Sequence, residues 1–510
     1  MTTIELQNFP QINNPEQRSK VSSTTSVNVW SQWKQWLAAI TATLSMVAVG
    51  TVYGWTTTSL ERLKNGTDVP VTITDDQASW LVSLTVIASM CGSFLGACLA
   101  DLYGRKFCLL CSSGFFTTGW LAVIFAKNVS ALYTARTILG ISVGMSYTTN
   151  PMYVSEVADT NIRGALGTLI AVNVFTGSLI TCSIGPYVSY VTLGIALLII
   201  PIVFVVSFVW FPESPHFLAM KGKKNAAVEA IIFFKNVNME RAHEELTIIL
   251  SNINEYRSHE QSWILKIKRL LSYNNSVAFL IVFMMIVIQQ LSGNFTTMQF
   301  LTGLFIRANV GIDADTATII VFAVGLVSGT VATMTVEKAG RRRLLMLSSF
   351  LCAGTLLILA IYLYLPQRNI DVSAVNLLPL IVIVLFQIAY QIGLGTLPNA
   401  MIGELFPTNA KSIAAAGITI SDGILGFIVS TFYTKIEKSL GTYFLYFFFS
   451  GSCFIGFIFI LFCVPETKNK SLTEIQDELS KSRFRYSKSW RSSKQEVETD
   501  IPTNCTSLNG

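Results

Sequence analysis

Eight side chains of this 510-residue chain have the types needed to recognise a neutral, hydroxyl-rich molecule away from bulk water. Gln289, Gln290, Asn294 and Thr297 lie in one strongly apolar run, Gln391, Thr396 and Asn399 in a second, and Asp422 in a third. A side-chain amide offers two donors and an acceptor, so a few amides and hydroxyls can satisfy a polyol without a full charge. On a helix, Asn294 and Thr297 follow Gln290 by four and seven residues and share its face. Gly393, Gly395 and Pro398 interrupt the second run at mid-depth. Such a break frees backbone carbonyls and lets the outer part swing. The plainer alternatives are amides bonding helix to helix and glycines serving close packing. Asp422 stands next to Ser421, and a carboxylate inside an apolar run is a functional candidate by default. It binds protons, accepts hydroxyls, or sits inert in a watery cavity; the sequence leaves these open. Bond-making chemistry finds little footing: the three histidines (His216, His243, His259) fall outside the apolar runs, with no nucleophile or metal constellation. Most of the nine cysteines lie within apolar runs, and Cys108 and Cys111 form a C-x-x-C without a second pair. Neither an enzyme nor a cofactor is expected.

The scaffold that positions these groups must dissolve in a bilayer. The chain is 51% hydrophobic and 13% charged, about half the charge of a soluble domain. Its net charge of +6 is modest and held in a few loops, which argues against nucleic-acid binding. Twelve apolar runs of about 20 residues lie near 36–57, 79–100, 106–126, 131–151, 166–187, 190–211, 277–302, 315–335, 344–364, 377–403, 413–433 and 443–464. All are expected to be helices, since a lipid-exposed segment must satisfy its own backbone. They split six and six around the polar stretch 212–275. Arg105 with Lys106, Lys221 to Lys224, Lys266 to Arg269, Arg341 to Arg343 and the Lys481–Arg485 tail fall on one side. Positive charge places that side, and both termini, in the cytoplasm. Asn65-Gly-Thr67 then lies in the first external loop, as a glycan acceptor. Residues 1–29 are polar without a signal-peptide core, and 474–510 read as disordered.

Three marks recur in the same order about half a chain apart. Asp101-Leu-Tyr-Gly104-Arg105-Lys106 is matched by Glu337-Lys-Ala-Gly340-Arg341-Arg342. Glu156 with Arg163 is matched by Glu404 with Lys411, and Pro212-Glu213-Ser-Pro by Pro465-Glu-Thr-Lys. Such duplication in a membrane chain points to a transporter with its site between related halves. Each half carries anions and cations at its inner face: Arg105, Glu156, Arg163 and Glu213 in the first, Arg341, Glu404 and Lys411 in the second. Paired across the halves, they form an inner latch; the plain alternative is positive-inside anchoring.

With these motifs in order, the chain resembles a sugar porter of the major facilitator superfamily. The resemblance runs from roughly 40 to 475 and is carried by Gly104-Arg105-Lys106, Pro151-Met-Tyr153-Val-Ser-Glu156 with Arg163-Gly164, Pro212-Glu-Ser-Pro-His216, Gln289-Gln290-Leu-Ser-Gly293, Val336-Glu-Lys-Ala-Gly-Arg-Arg342, Glu404-Leu-Phe-Pro407 and Pro465-Glu-Thr-Lys468. Gln289-Gln-Leu-Ser-Gly-Asn-Phe295 resembles insect facilitated trehalose transporter-like proteins more than vertebrate glucose transporters. The resemblance implies an all-α membrane protein, with twelve transmembrane helices in two six-helix bundles and a cytoplasmic helical domain. The expected boundaries are a tail 1–34, a bundle 35–211, the helical domain 212–275, a bundle 276–464 and a tail 465–510. It also implies sugar contacts at Gln289 and Gln290 and alternating access; a multi-pass protein of the cell membrane is expected, with no obligate protein partner evident in the sequence.

Departures from the family pattern bear on substrate and coupling. Ala171 stands where a sugar-binding glutamine is frequent, with Asn173 nearby, and Phe295 where the family has asparagine. Gln391 and Asn399 replace a glutamate and a tryptophan, and Asp422-Gly423 an asparagine–tryptophan pair. His216 and Lys411 replace arginines, and Asn469 a glycine. Proton-coupled relatives carry an aspartate in the first span, but here Gly54-Trp55-Thr56 offers only a hydroxyl. The expectation is therefore facilitative transport of trehalose or a hexose. A proton–sugar symporter using Asp422, and a sugar receptor that does not transport, are the alternatives.

Overall fold

A computed structural model describes residues 32–159, 161–258, 273–406, 408–468, 470 and 474. Asn469, the cluster Lys266 to Arg269 and the segments read as polar tails, apart from 474, lie outside the described residues. The first half consists of α1 (Trp33–Asn65), α2 (Asp75–Leu102), α3 (Arg105–Ile124), α4 (Val129–Val157), α5 (Arg163–Ile184) and α6 (Tyr190–Phe208). Short helices α7 (Pro215–Met220), α8 (Lys224–Lys235) and α9 (Met239–Ser258) follow. The second half consists of α10 (Tyr273–Leu291), α11 (Asn294–Gln299), α12 (Leu301–Arg307), α13 (Ala314–Ala339), α14 (Arg341–Tyr364), α15 (Leu378–Ile392), α16 (Leu397–Leu405), α17 (Thr408–Leu440) and α18 (Thr442–Cys463).

Eleven helical segments among the described residues are long and apolar enough to cross a membrane. The run expected as a fourth span folds as α4 but is not among them. Its polar groups explain this: Arg136, Ser142, Ser146, Thr149 and Asn150 are all buried, because α4 packs against α1, α2 and α3. Hydrogen bonds inside the bundle make such polarity tolerable. Asn150, for example, donates to the Ala42 carbonyl and the Ser45 hydroxyl, each at 2.8 Å. The lipid-facing surfaces are apolar instead; Phe94 is 75% exposed and Phe462 78%. In water such exposure would mark an interaction patch, whereas a bilayer solvates it.

The run expected as one seventh helix is broken. Helix α10 stops at Leu291, Gly293 adopts φ +70°, and α11 restarts at Asn294. A positive φ is cheap only without a Cβ. The continuous face expected for Gln290, Asn294 and Thr297 is therefore interrupted. The tenth run breaks as its composition predicts: α15 ends at Ile392 and α16 begins at Leu397, with Pro398 in its first turn. Proline fits there because that amide has no helical partner.

Within the first half α1 packs on α5 and α4 bridges α2 and α3; within the second α14 packs on α18 and α15. The halves meet through α2 against α17 and α5 against α13. Helices α8 and α9 share a separate small core of Ala227, Val228, Ile231, Ala242 and Leu246.

Candidate functional site

The repeated motifs converge on one constellation per half, at the face bearing the basic loops. Gly104 takes φ +117° at the α2–α3 turn and Gly340 takes φ +90° at the α13–α14 turn. Both conformations favour glycine. Each aims the N-terminus of the next helix at a carboxylate. Glu213 accepts from the Arg105 amide at 3.1 Å and the Lys106 amide at 3.0 Å. Glu466 accepts from the Arg341 amide at 2.9 Å. A helix N-terminus favours such an anion. Arg105 then reaches Glu156 at 3.1 Å, and Arg341 reaches Glu404 at 3.0 Å. Ser214 closes the first constellation onto Glu156, and Thr467 closes the second onto Glu404. Burial pushes the Glu213 carboxyl above its ordinary range, against the amide bonds it accepts.

Both constellations join helices of the same half, and among the described residues none of these groups pairs across the halves as the expected inner latch would. Two like motifs descended by duplication can pair locally because each half carries its own anion and cation. Arg163 is exposed and donates to the Ala158 carbonyl at 3.5 Å. Lys411 lies on α17, with its side chain outside the described residues. A neighbouring network escaped the sequence reading. Gln32 and Gln35 donate to Asp159 at 3.0 and 2.9 Å, and Lys235 pairs with Asp159 at 3.1 Å and Glu245 at 2.6 Å. Burial opposes the Asp159 charge, but Gln35 and Lys235 hold its pKa below the ordinary value. Its charged member Lys235 is held above its ordinary value by Glu245 and Asp159, despite burial.

At the opposite face the halves are fastened to each other. Thr57 donates to the Met298 carbonyl at 2.9 Å and Thr431 to Ser83 at 2.9 Å, while the Ser79 and Thr434 hydroxyls meet. Lys438 reaches Asp75 at 3.4 Å, and Asp75 also pairs with Lys64 at 3.1 Å. Tyr53 packs edge-on against Phe295 at 5.8 Å.

Between these faces lies the centre. Gln290 donates to Asp422 at 2.6 Å. Gln289 reaches the Gly395 carbonyl at 3.4 Å, in the break between α15 and α16, and lies near the Tyr390 hydroxyl. These three polar side chains from α10 and α17 form one cluster with Tyr390. Asn294 is turned away by the Gly293 break and donates to Gln387 at 2.8 Å. Thr297 is fully buried and accepts from Tyr446 at 3.5 Å. Gln391 is buried beside Gly329, and its carbonyl accepts from Thr396 at 3.4 Å. Asn399 is exposed, on α16 beyond the break. The predicted set thus divides: Gln289, Gln290 and Asp422 converge, Asn294 and Thr297 bond to other helices, and Thr396 shapes the break.

The first half contributes groups that the sequence reading passed over. Arg136 of α4 is 1% exposed and donates to the Thr56 hydroxyl at 2.6 Å and the Val52 carbonyl at 3.2 Å. Its guanidinium lies 5.2 Å from the Trp55 ring. The signal was available, as a lone arginine inside the run 131–151. Tyr147 of α4 lies close to Tyr53 of α1, and the Asp422 carboxylate is within electrostatic reach of both hydroxyls. Asn173 is occupied by Thr43 at 2.8 Å.

A family model described as sugar (and other) transporter matches residues 27–479. The chain is 30% identical to the facilitated trehalose transporter Tret1 of Bombyx mori, over 88% of this chain and 87% of that protein. It is also 30% identical to Tret1 of Polypedilum vanderplanki, over 87% and 88% respectively. The fold is similar to that of the major facilitator superfamily proton:xylose symporter XylE bound to 6-bromo-6-deoxy-D-glucose. There the TM-score is 0.69 at 20% identity, covering 87% of this chain and 99% of that one. Two matched halves, a polar centre between them and a family match across nearly the whole described chain lead to one conclusion: this is a multi-pass membrane protein that belongs to the sugar transporter family.

Proposed function

We propose that the chain moves trehalose or a hexose across the cell membrane by uncoupled alternating access. The observation carrying this reading is the chemistry of the centre: amides, phenols and one carboxylate held by an amide. The buried cation Arg136 is held by a hydroxyl, carbonyls and a ring. A hydroxyl cannot exchange a coupling proton at physiological pH. The mid-depth Asp422 is the one feature that favours a proton symporter, and Asp422→Asn separates the readings. Uptake of labelled trehalose and glucose into oocytes tests the proposal: saturable uptake independent of a proton gradient is expected, while gradient-driven uptake lost in Asp422→Asn would establish coupling.

The same reading makes α4 the twelfth span and divides the spans into two six-helix bundles of 35–211 and 276–464. The basic face and both termini then lie in the cytoplasm, with 212–275 as a cytoplasmic helical domain and Asn65 as an external glycan acceptor. Arg105, Glu156 and Glu213, like Arg341 and Glu404, lock the helix ends of their own half. Each half then rocks as a rigid body, and Arg163 and Lys411 are left to meet the opposite half when the basic face closes. Sugar and bilayer lipid are the partners, and no catalytic role is assigned.

A further inference from the structure

The glutamine cluster comes from the second half, and a sugar held there alone would leave the facing wall of the first half unused. That wall presents Tyr147. It lies well inside α4 (Val129–Val157), yet the residue is 40% exposed. Exposure at that depth means either lipid or an internal cavity. Its surroundings decide: the hydroxyl lies within electrostatic reach of Tyr53 on α1 and of Asp422 on α17, a helix of the other half. The ring therefore faces the space between the halves. Tyr53 is braced from the second half by Phe295, edge-on at 5.8 Å. Across from the pair, Asp422 accepts from Gln290 through one carboxylate oxygen, at 2.6 Å. Its other oxygen has no hydrogen-bond partner among the described residues and is not sealed from solvent.

Resting on the proposed sugar reading, we infer that Tyr147 is a specificity-determining residue, whose hydroxyl, with the free oxygen of Asp422, takes a hydroxyl of the second ring of a disaccharide while Gln289 and Gln290 hold the first. A phenol both donates and accepts, so the Tyr147 hydroxyl can serve a sugar hydroxyl in either sense. A single-ring sugar on the glutamines makes less use of this wall. Discrimination by unpaired polar groups exceeds what a difference in apolar bulk supplies.

The test is Tyr147→Phe, which keeps the ring and removes the hydroxyl, in oocytes with surface protein quantified. The expected result is a fall of about tenfold in the trehalose-to-glucose ratio of Vmax/KM, arising from a raised KM for trehalose; tenfold corresponds to about 1.4 kcal/mol. An unchanged ratio, or equal losses for both sugars, overturns the assignment. If wild-type protein at the surface takes up neither sugar, the transport reading itself fails, an outcome distinct from an active wild type with an unaffected variant. Should the variant not reach the surface, the thermal shift of purified protein by each sugar gives the same comparison. Loss of the trehalose-specific shift supports the role, and its retention overturns it.

Discussion

The two halves repeat one another at the basic face and differ at the centre. Arg105, Glu156, Glu213 and Ser214 are mirrored by Arg341, Glu404, Glu466 and Thr467: in each copy the arginine amide meets one glutamate, its guanidinium the other, and a hydroxyl closes the set. At mid-depth the first half offers Arg136, Thr56, Tyr53 and Tyr147, whereas the second offers Gln289, Gln290, Tyr390 and Asp422. The constellation that ties helix ends must work in each half, so both copies keep it. The centre needs only one matching set of groups for its ligand, so the copies were free to diverge. On the proposed reading, duplicated geometry marks the moving frame and asymmetry marks the site.

The largest expected effect breaks the symmetric part. In the first half, the Arg105 and Glu156 side chains are 4% and 16% exposed, against 20% and 27% for Arg341 and Glu404. Removing one partner of a buried pair costs on the order of 3 kcal/mol, while a more exposed pair contributes about 1 kcal/mol. Glu156→Gln should therefore lower the Tm of purified protein more than Glu404→Gln. Equal or reversed losses would show that burial does not rank the two copies.

An intermediate effect separates site from frame. On the proposed reading Gln290→Leu removes a donor to sugar and should reduce uptake at least tenfold; it also strips the Asp422 carboxylate of its amide bond, so Tm falls as well and KM is the readout that marks the site. Asn150→Leu deletes two hydrogen bonds inside the first half, worth about 1 kcal/mol each, and should lower Tm while leaving KM unchanged. Uptake kinetics and thermal melts on both variants decide; a KM effect in Asn150→Leu would extend the site into the first half's core.

The smallest effect concerns a break in the mirror at the basic face itself. Burial pushes the His216 imidazole below its ordinary pKa, opposed by Glu156, and its Nδ1 has no partner among the described residues. A histidine kept neutral by folding costs nothing above about pH 6.5. Below that value the unfolded chain binds a proton that the folded one resists, so stability falls with pH. Melts between pH 7.5 and 5.5 should show a modest loss of Tm that His216→Gln reduces. An identical slope in the variant would assign the loss to other groups.

Much of the frame was legible in the sequence because length and apolar content dictate spans, and because the duplicated motifs keep their order. The spans expected at 79–100 and 344–364 lie within α2 and α14. What was not legible depends on tertiary direction. Helical spacing grouped Asn294 with Gln290, but the positive φ of Gly293 separates them. Charge signs at the inner face allowed pairing within or across the halves, and only the fold shows which partner is nearer. Tyr53 and Tyr147 were hidden because a tyrosine in an apolar run reads as core until its neighbours are known.

The most direct test of an uncoupled site built between unlike half-centres is sugar accumulation in proteoliposomes holding the purified protein, with and without an inward proton gradient. The account predicts that internal trehalose or glucose rises to the external concentration and stops there, at equal levels in both conditions. Accumulation above the external concentration, driven by the gradient, would contradict it.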